Sequence, residues 1–310
     1  MKAFTLLVPI VFLPLIFTSC SDLDQPGAQL TTELKDTTPK AEQLYQKGLA
    51  QEQKGDWSGA AKVFDTLAKR YPTYEKAAEL NYKAAQYWEK ESKPEIAFDS
   101  YQHYIQTFRN GINYKSALDR QSAIAFMAAK GGLATNFLGL KQEPQFTKVV
   151  SFLSKVRENA PASDLAARAQ FAIGTYAERK EKVQESVAAY FKVVDDYPSH
   201  RLAPEATFRA GKVLSGISLE GNHNSSNLKR AKTTLEDLIQ QYPNSSQAVE
   251  ARKLLTKISG TNLKRTYEIG EFYEQKNKLS SAKYYYQEVV NKSSAGSQLR
   301  ALAQQKLNTL

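Results

Sequence analysis

The sequence predicts an all-α fold, a solenoid of stacked helical hairpins, and three observations carry that prediction. The first is a recurring spacing: a small residue, alanine or its equivalent twelve positions later, an aromatic or leucine four further on, and proline after eight more. Gly48, Ala60, Phe64 and Pro72 give the full pattern. Its second half returns at Val149, Leu153, Pro161; Ser186, Tyr190, Pro198; and Ala231, Leu235, Pro243. Gly270, Ala282 and Tyr286 keep the beginning, with Ser294 in place of the proline. The second is the period, in the thirties, which is the length of two helices and a turn. The third is the closing tripeptides Arg70-Tyr71-Pro72, Asp196-Tyr197-Pro198 and Gln241-Tyr242-Pro243, which end helices because proline cannot continue one. At 310 residues these repeats make about six units in a curved stack.

The chain begins with a different kind of segment. Met1-Lys2 is a minimal positive start, and residues 3–17 are apolar apart from Thr5. That run is too short to span a bilayer, and Pro9 and Pro14 would disturb a helix there. It ends in Leu15-Ile16-Phe17-Thr18-Ser19-Cys20, and Cys20 is the chain's only cysteine. The segment resembles the lipobox of bacterial lipoproteins, with Phe17 where leucine is commoner. The resemblance implies a signal peptide over 1–19 and a thioether-linked diacylglycerol on Cys20. Two or three lipid chains together make an anchor effectively permanent, whereas one holds only marginally. Ser21 stands where aspartate marks retention at the inner membrane in such proteins, so the expected location is the outer membrane, facing the periplasm. Residues 20–40 are polar, contain Pro and Gly, and read as a flexible tether.

The repeat body divides into units over 41–160 and 161–310. Counting from the first residue of each first helix, the small position eight is Gly48, Ala85, Gly174, Gly211 and Gly270, where a longer side chain would force two antiparallel helices apart. The second helix supplies positions twenty, twenty-four and twenty-seven on one face. These are Ala60, Phe64, Leu67; Ala97, Tyr101, Tyr104; Val149, Leu153, Val156; Ser186, Tyr190, Val193; Ala231, Leu235, Leu238; and Ala282, Tyr286, Val289. Three irregularities stand out. Leu219–Ser226 reads as a lengthened turn, Gly131–Gln145 as a long loop, and the helix over Tyr114–Lys130 offers no obvious small residue at position eight. Ser92 before Pro94 and Asn244-Ser245-Ser246 are expected caps. The whole pattern resembles the tetratricopeptide family, which implies a right-handed superhelix.

Position five is aromatic in five units: Tyr45, Tyr82, Phe171, Phe208 and Tyr267. By the family resemblance this position faces a groove in which peptides dock, so these rings are candidates for a partner groove. They also fit an ordinary i, i+4, i+7 core stripe, and burying such a ring stabilises by roughly 1.5–3 kcal/mol without any ligand. Position twelve is Glu52, Glu89, Glu178 and Glu274, which reads as a solvent-facing row along the same groove, or simply as a solvated charged face.

Catalytic signatures are absent from the sequence. His103, His200 and His223 lie in different units without ligand spacing, and one cysteine cannot build a thiolate metal site. There is no nucleophile elbow, phosphate-cradling loop or dinucleotide fingerprint. Gly131-Gly132 reads as a turn and Asp195-Asp196 as a helix end. The expectation is a non-enzymatic protein with no cofactor and no metal. The net charge is +10, and the body from Ala41 onward carries +11, from 39 basic and 28 acidic residues. Export makes nucleic acid an unsuitable partner and leaves anionic head groups or acidic proteins.

A lipobox, a tether and repeats opening AEQLYQKGLAQEQKGDWSGAAKVFDTLAKRYP resemble the BamD-like outer-membrane lipoproteins. Tyr45, Gly48, Gly55-Asp56-Trp57 and Arg70-Tyr71-Pro72 carry the likeness, and residues 267–290 echo it. The resemblance implies a periplasmic scaffold in β-barrel assembly, with the barrel subunit or unfolded barrel clients as partners, an N-terminal groove for segments and C-terminal units for docking. Two alternatives are an envelope adaptor of the Tol or cell-division (YbgF-like) type and a pilotin-like lipoprotein for secretin assembly. The adaptor type precedes its repeats with a coiled coil, and no heptad run stands before Ala41.

Overall fold

The computed structural model describes residues 26–133, 135–137, 140–220 and 225–310, with side chains described over 39–133, 143–216 and 226–310. Residues 1–25, Cys20 among them, and His223 lie outside the described residues. Helices follow one another as α1 (Pro26–Gln53), α2 (Trp57–Arg70), α3 (Ala77–Lys90), α4 (Pro94–Thr107) and α5 (Tyr114–Ala129). The strands β1 (Thr135–Phe137) and β2 (Leu140–Gln142) come next, then α6 (Phe146–Asn159), α7 (Asp164–Arg179) and α8 (Val183–Asp196). The chain closes with α9 (Ala203–Glu220), α10 (Ser225–Gln241), α11 (Ser246–Gln275), α12 (Leu279–Lys292) and α13 (Gln298–Thr309). Each helix packs against the next, the order expected of an all-α tetratricopeptide-like stack.

Sequence spacing and packing agree closely. Every residue of the six triplets at positions twenty, twenty-four and twenty-seven is at most 1% exposed. The small residues opposite them leave room for the position-twenty-four side chain. A methyl group on Gly48 would run into the Phe64 ring, one on Gly174 or Gly270 into Tyr190 or Tyr286, and one on Gly211 into Leu235. Hairpins therefore close because a large side chain on the second helix packs against bare backbone of the first.

The turn inside the hairpins has its own signature. Gly55, Ser92, Gly131, Glu181 and Asn277 all have positive φ, between 54° and 83°, each just beyond the end of a first helix. This is the left-handed residue that stops a helix and turns the chain back. Seven positions before these residues stand Gly48, Ala85, Gly174 and Gly270, but Ile124 precedes Gly131. The third unit thus has a helix of the expected kind with isoleucine at the tight position, which explains why its small residue could not be found.

Several expectations need correction. The backbone is already helical at Pro26, the first described residue, inside the segment read as a flexible tether, and Pro39 lies inside the helix. The packed face nevertheless begins at Ala41, the first buried residue described. Gly131–Gln145 is not all loop, since β1 pairs antiparallel with β2 in the register Thr135↔Gln142. Helical backbone enters the segment read as a lengthened turn from both sides, with α9 described to Glu220 and α10 from Ser225, and residues 221–224 lie outside the described residues. Ser92 does not cap α4: its φ is 54°, Lys93 takes the cap position and Pro94 opens the helix. Ser245 does cap α11, accepting from Ala248 N at 3.1 Å. The count of six units is not confirmed. One 30-residue helix, α11, packs against α9, α10 and α12, and a further helix, α13, packs on α11 and α12.

Candidate functional site

The position-twelve glutamates stand three residues before the left-handed turn residue, so the turn fixes where they point. Ser92, Glu181 and Asn277 donate their backbone N–H to the carbonyl oxygens of Glu89, Glu178 and Glu274. The side chains turn back across the hairpin. Tyr101 donates its hydroxyl to Glu89 at 2.5 Å, Tyr190 to Glu178 at 2.5 Å and Tyr286 to Glu274 at 2.6 Å. In each case the tyrosine is position twenty-four of the same unit, and for Tyr190 and Tyr286 the ring is the one seated on the hairpin's glycine.

The same carboxylates reach the following hairpin. Arg120 of α5 bonds Glu89 at 2.8 Å, Arg209 of α9 bonds Glu178 at 3.2 Å and Lys306 of α13 bonds Glu274 at 3.0 Å. In the first unit position twenty-four is Phe64, which has no hydroxyl. There Glu52 takes its bonds from α3 alone, from Lys83 at 2.7 Å and the Tyr87 hydroxyl at 2.6 Å. Each glutamate is a latch: one bond or more ties it to the next pair of helices, and in three units another closes its own pair. The third unit has Ala128 at this position, and Glu143, just after β2, does the work with Lys180 at 2.7 Å and Arg179 at 3.3 Å.

Electrostatics follow this geometry. Burial, then the neighbouring carboxylate, pushes the Tyr101, Tyr190 and Tyr286 hydroxyls far up, so they remain donors. Hydrogen bonds from Tyr286 and Lys306 hold Glu274 below the usual carboxylate range. At Glu52 burial is the largest influence and pushes upward, but bonds from Lys83 and Tyr87 together outweigh it. The Lys180 and Arg179 bonds hold Glu143 down at about 2.

The expected solvent-facing glutamate row therefore has a different character. Side chains of Glu52, Glu89, Glu178 and Glu274 are only 22, 28, 30 and 27% exposed, and each is occupied by internal partners. The position-five aromatics are half-buried. Tyr82 packs on Tyr101 with ring centroids 5.7 Å apart, Phe171 on Tyr190 at 5.5 Å and Tyr267 on Tyr286 at 5.2 Å. Tyr45 lies 6.3 Å from Tyr74 under the Lys76 ammonium, and Phe208 packs beside Leu235 and Ile258. These rings belong to the hairpin packing and show one edge outward. The structure brings position five, position twelve and position twenty-four of a unit together, and joins units through the next cation. The constant spacing of twelve between Glu89 and Tyr101, Glu178 and Tyr190, and Glu274 and Tyr286 was the signal in the sequence that could have revealed the latch.

A second polar knot is buried between the first two hairpins. Asp65 accepts from Asn81 at 2.9 Å, Trp88 Nε1 at 2.8 Å and Ser100 at 2.6 Å. Three donors satisfy a carboxylate that would otherwise be costly to bury. His103 is bonded to Asn81 and His200 to Asp164, each within a structural network. Among the described residues no group of three or more His, Cys, Asp or Glu is placed to hold a metal ion. No described helix is long and apolar enough to cross a membrane.

Comparison with known proteins gives a family match. A model described as an outer membrane lipoprotein (YfiO) matches residues 140–306, and a tetratricopeptide-repeat model matches 44–74. Of the two stretches that carry the resemblance in sequence, residues 267–290 fall within the lipoprotein match and Tyr45–Pro72 within the repeat match. No curated protein matches significantly. Similar solved structures include apo RapI, at 10% identity and TM-score 0.31, covering 87% of this chain and all of that one. Others are a tetratricopeptide repeat protein from Parabacteroides merdae (12%, 0.32, covering 86% and 97%) and the apo quorum sensor NprR from B. thuringiensis (14%, 0.34, covering 91% and 82%).

Proposed function

The chain belongs to the outer membrane lipoprotein family YfiO, and from that premise we propose that it is a BamD-like scaffold, lipid-anchored through Cys20 and facing the periplasm, in the assembly of β-barrel outer-membrane proteins. The family match over 140–306 carries this reading. The scaffold binds without covalent chemistry. Its anchor confines it to one membrane face and so raises its effective concentration near membrane partners. Latched hairpins keep the stack in one shape, so the partner does not have to order it on binding. Partners are the barrel subunit of the machinery and its unfolded clients.

Two experiments test this reading. Depletion of the chain in its own cells should lower the amount of folded β-barrel protein in the outer membrane, read from heat-modifiable gel mobility; unchanged barrel levels contradict the role. Cys20→Ala should move the protein from the membrane to the soluble fraction. Membrane retention of that variant in cells lacking its protein partners contradicts the anchor.

A further inference from the structure

A cavity of about 300 Å³ opens where α5, α7 and the start of α9 meet. These are first helices of successive hairpins, so the cavity lies on the face that the hairpins share. Phe126, Phe171 and Leu202 line its apolar side, and Lys130, Arg168 and Arg201 line its charged side, with no acidic residue in the wall. The Arg168 guanidinium sits 5.2 Å from the Phe126 ring centre, which orients its plane and leaves an edge of N–H donors outward.

The cations are only partly neutralised. Asp164, at the start of α7, lies 3.5 Å from Arg168 and 3.8 Å from Arg201, both longer than a charge-assisted hydrogen bond. The nearer partner of Asp164 is His200, at 3.0 Å. Lys130 has no ion pair among the described residues. Two of the three cations thus share one carboxylate and Lys130 has none among the described residues, beside a wall of rings, in a space with room for two neighbouring side chains. A free phosphate would leave the apolar wall uncovered, and an acyl chain would outrun the volume.

We propose that this cavity binds a peptide segment in which a carboxylate side chain stands beside a leucine- or phenylalanine-sized one. The carboxylate takes the donors of Arg168, with Lys130 and Arg201 supplying field, and the apolar group covers Phe126 and Phe171. This rests on the scaffold reading above and names the chemistry of one partner segment.

The test uses the full chain in detergent and the peptide Gly-Ser-Glu-Phe-Gly-Ser-amide carrying fluorescein on its N-terminal amine, with a glutamine-for-glutamate peptide bearing the same label as control, read by fluorescence anisotropy. The glutamate peptide should bind saturably, and the glutamine peptide about tenfold more weakly, the loss of one charge-assisted hydrogen bond. Arg168→Gln and Lys130→Gln, both at exposed positions, should each weaken the glutamate peptide by about threefold to tenfold, with helical circular dichroism unchanged. Equal affinity for both peptides, or no change in both variants, overturns the proposal. So does capture by phosphatidylglycerol vesicles or displacement by inorganic phosphate when the two peptides bind alike. If the peptides fail while depletion still lowers folded barrel protein, the pocket is wrong and the scaffold reading stands.

Discussion

Tyr286 donates a 2.6 Å hydrogen bond to Glu274, and Glu274 also holds Lys306 of the last helix, so one carboxylate closes a hairpin and docks the next element. The same pair stands at Tyr190 and Glu178 and at Tyr101 and Glu89. Removing the donor leaves a partly buried carboxylate short of one bond. Tyr286→Phe should cost about 1–2 kcal/mol in urea unfolding. Lys306→Met should cost less, and adding it to Tyr286→Phe should be non-additive because both bonds end on one group. Additive losses would separate the two contacts.

Gly174 sits against the Tyr190 ring, 2.6 Å from where a methyl carbon would be. Alanine is the better helix former by about 1 kcal/mol, but the overlap costs about 1–3 kcal/mol. Gly174→Ala should therefore destabilise the chain, whereas Gly260→Ala, with nothing within 4 Å, should stabilise it. Thermal unfolding of both variants checks the contrast.

Glu181 occupies the left-handed turn after α7 with φ 55°. A side chain there costs roughly 1–2 kcal/mol, and glycine returns part of that as unfolded-state entropy. Glu181→Gly should stabilise by about 0.5–1 kcal/mol. A loss of stability would mean that the Glu181 side chain makes a contact in solution.

Glu143 is held at about 2 by Lys180 and Arg179. A carboxylate lowered on folding contributes stability that is fully present above its ordinary value of 4.5 and fades as pH falls towards 2. Acid should therefore loosen the link between α6 and α7, and Glu143→Gln should flatten that part of the pH profile. Carbon-detected titration of the Glu143 carboxyl should show a midpoint near 2; a midpoint near 4.5 would mean the ion pairs do not form.

The hairpin core was legible because its period is local: Ala97, Tyr101 and Tyr104 share a face by helical geometry alone. Gly48 and Gly174 were legible for the same reason, each facing a ring at a fixed spacing. Features that depend on the next unit were harder. Glu89 read as a solvated charge because Arg120, its partner, lies thirty-one residues on and belongs to another hairpin. The period of the repeats did not foretell that α11 runs unbroken through Gly260, because a glycine lowers helix propensity locally while packing along the rest of the helix carries it through. At the third unit Ile124 replaced the small residue and Glu143 replaced the position-twelve glutamate, so a pattern built on the other units missed both.

The scaffold reading is tested most directly by crosslinking the chain in native membranes and identifying the captured protein by mass spectrometry. The account predicts a component of the β-barrel assembly machinery, joined to the chain in wild-type membranes and lost when Cys20→Ala releases it. Capture of a Tol component or a secretin, or of no envelope protein at all, would contradict it.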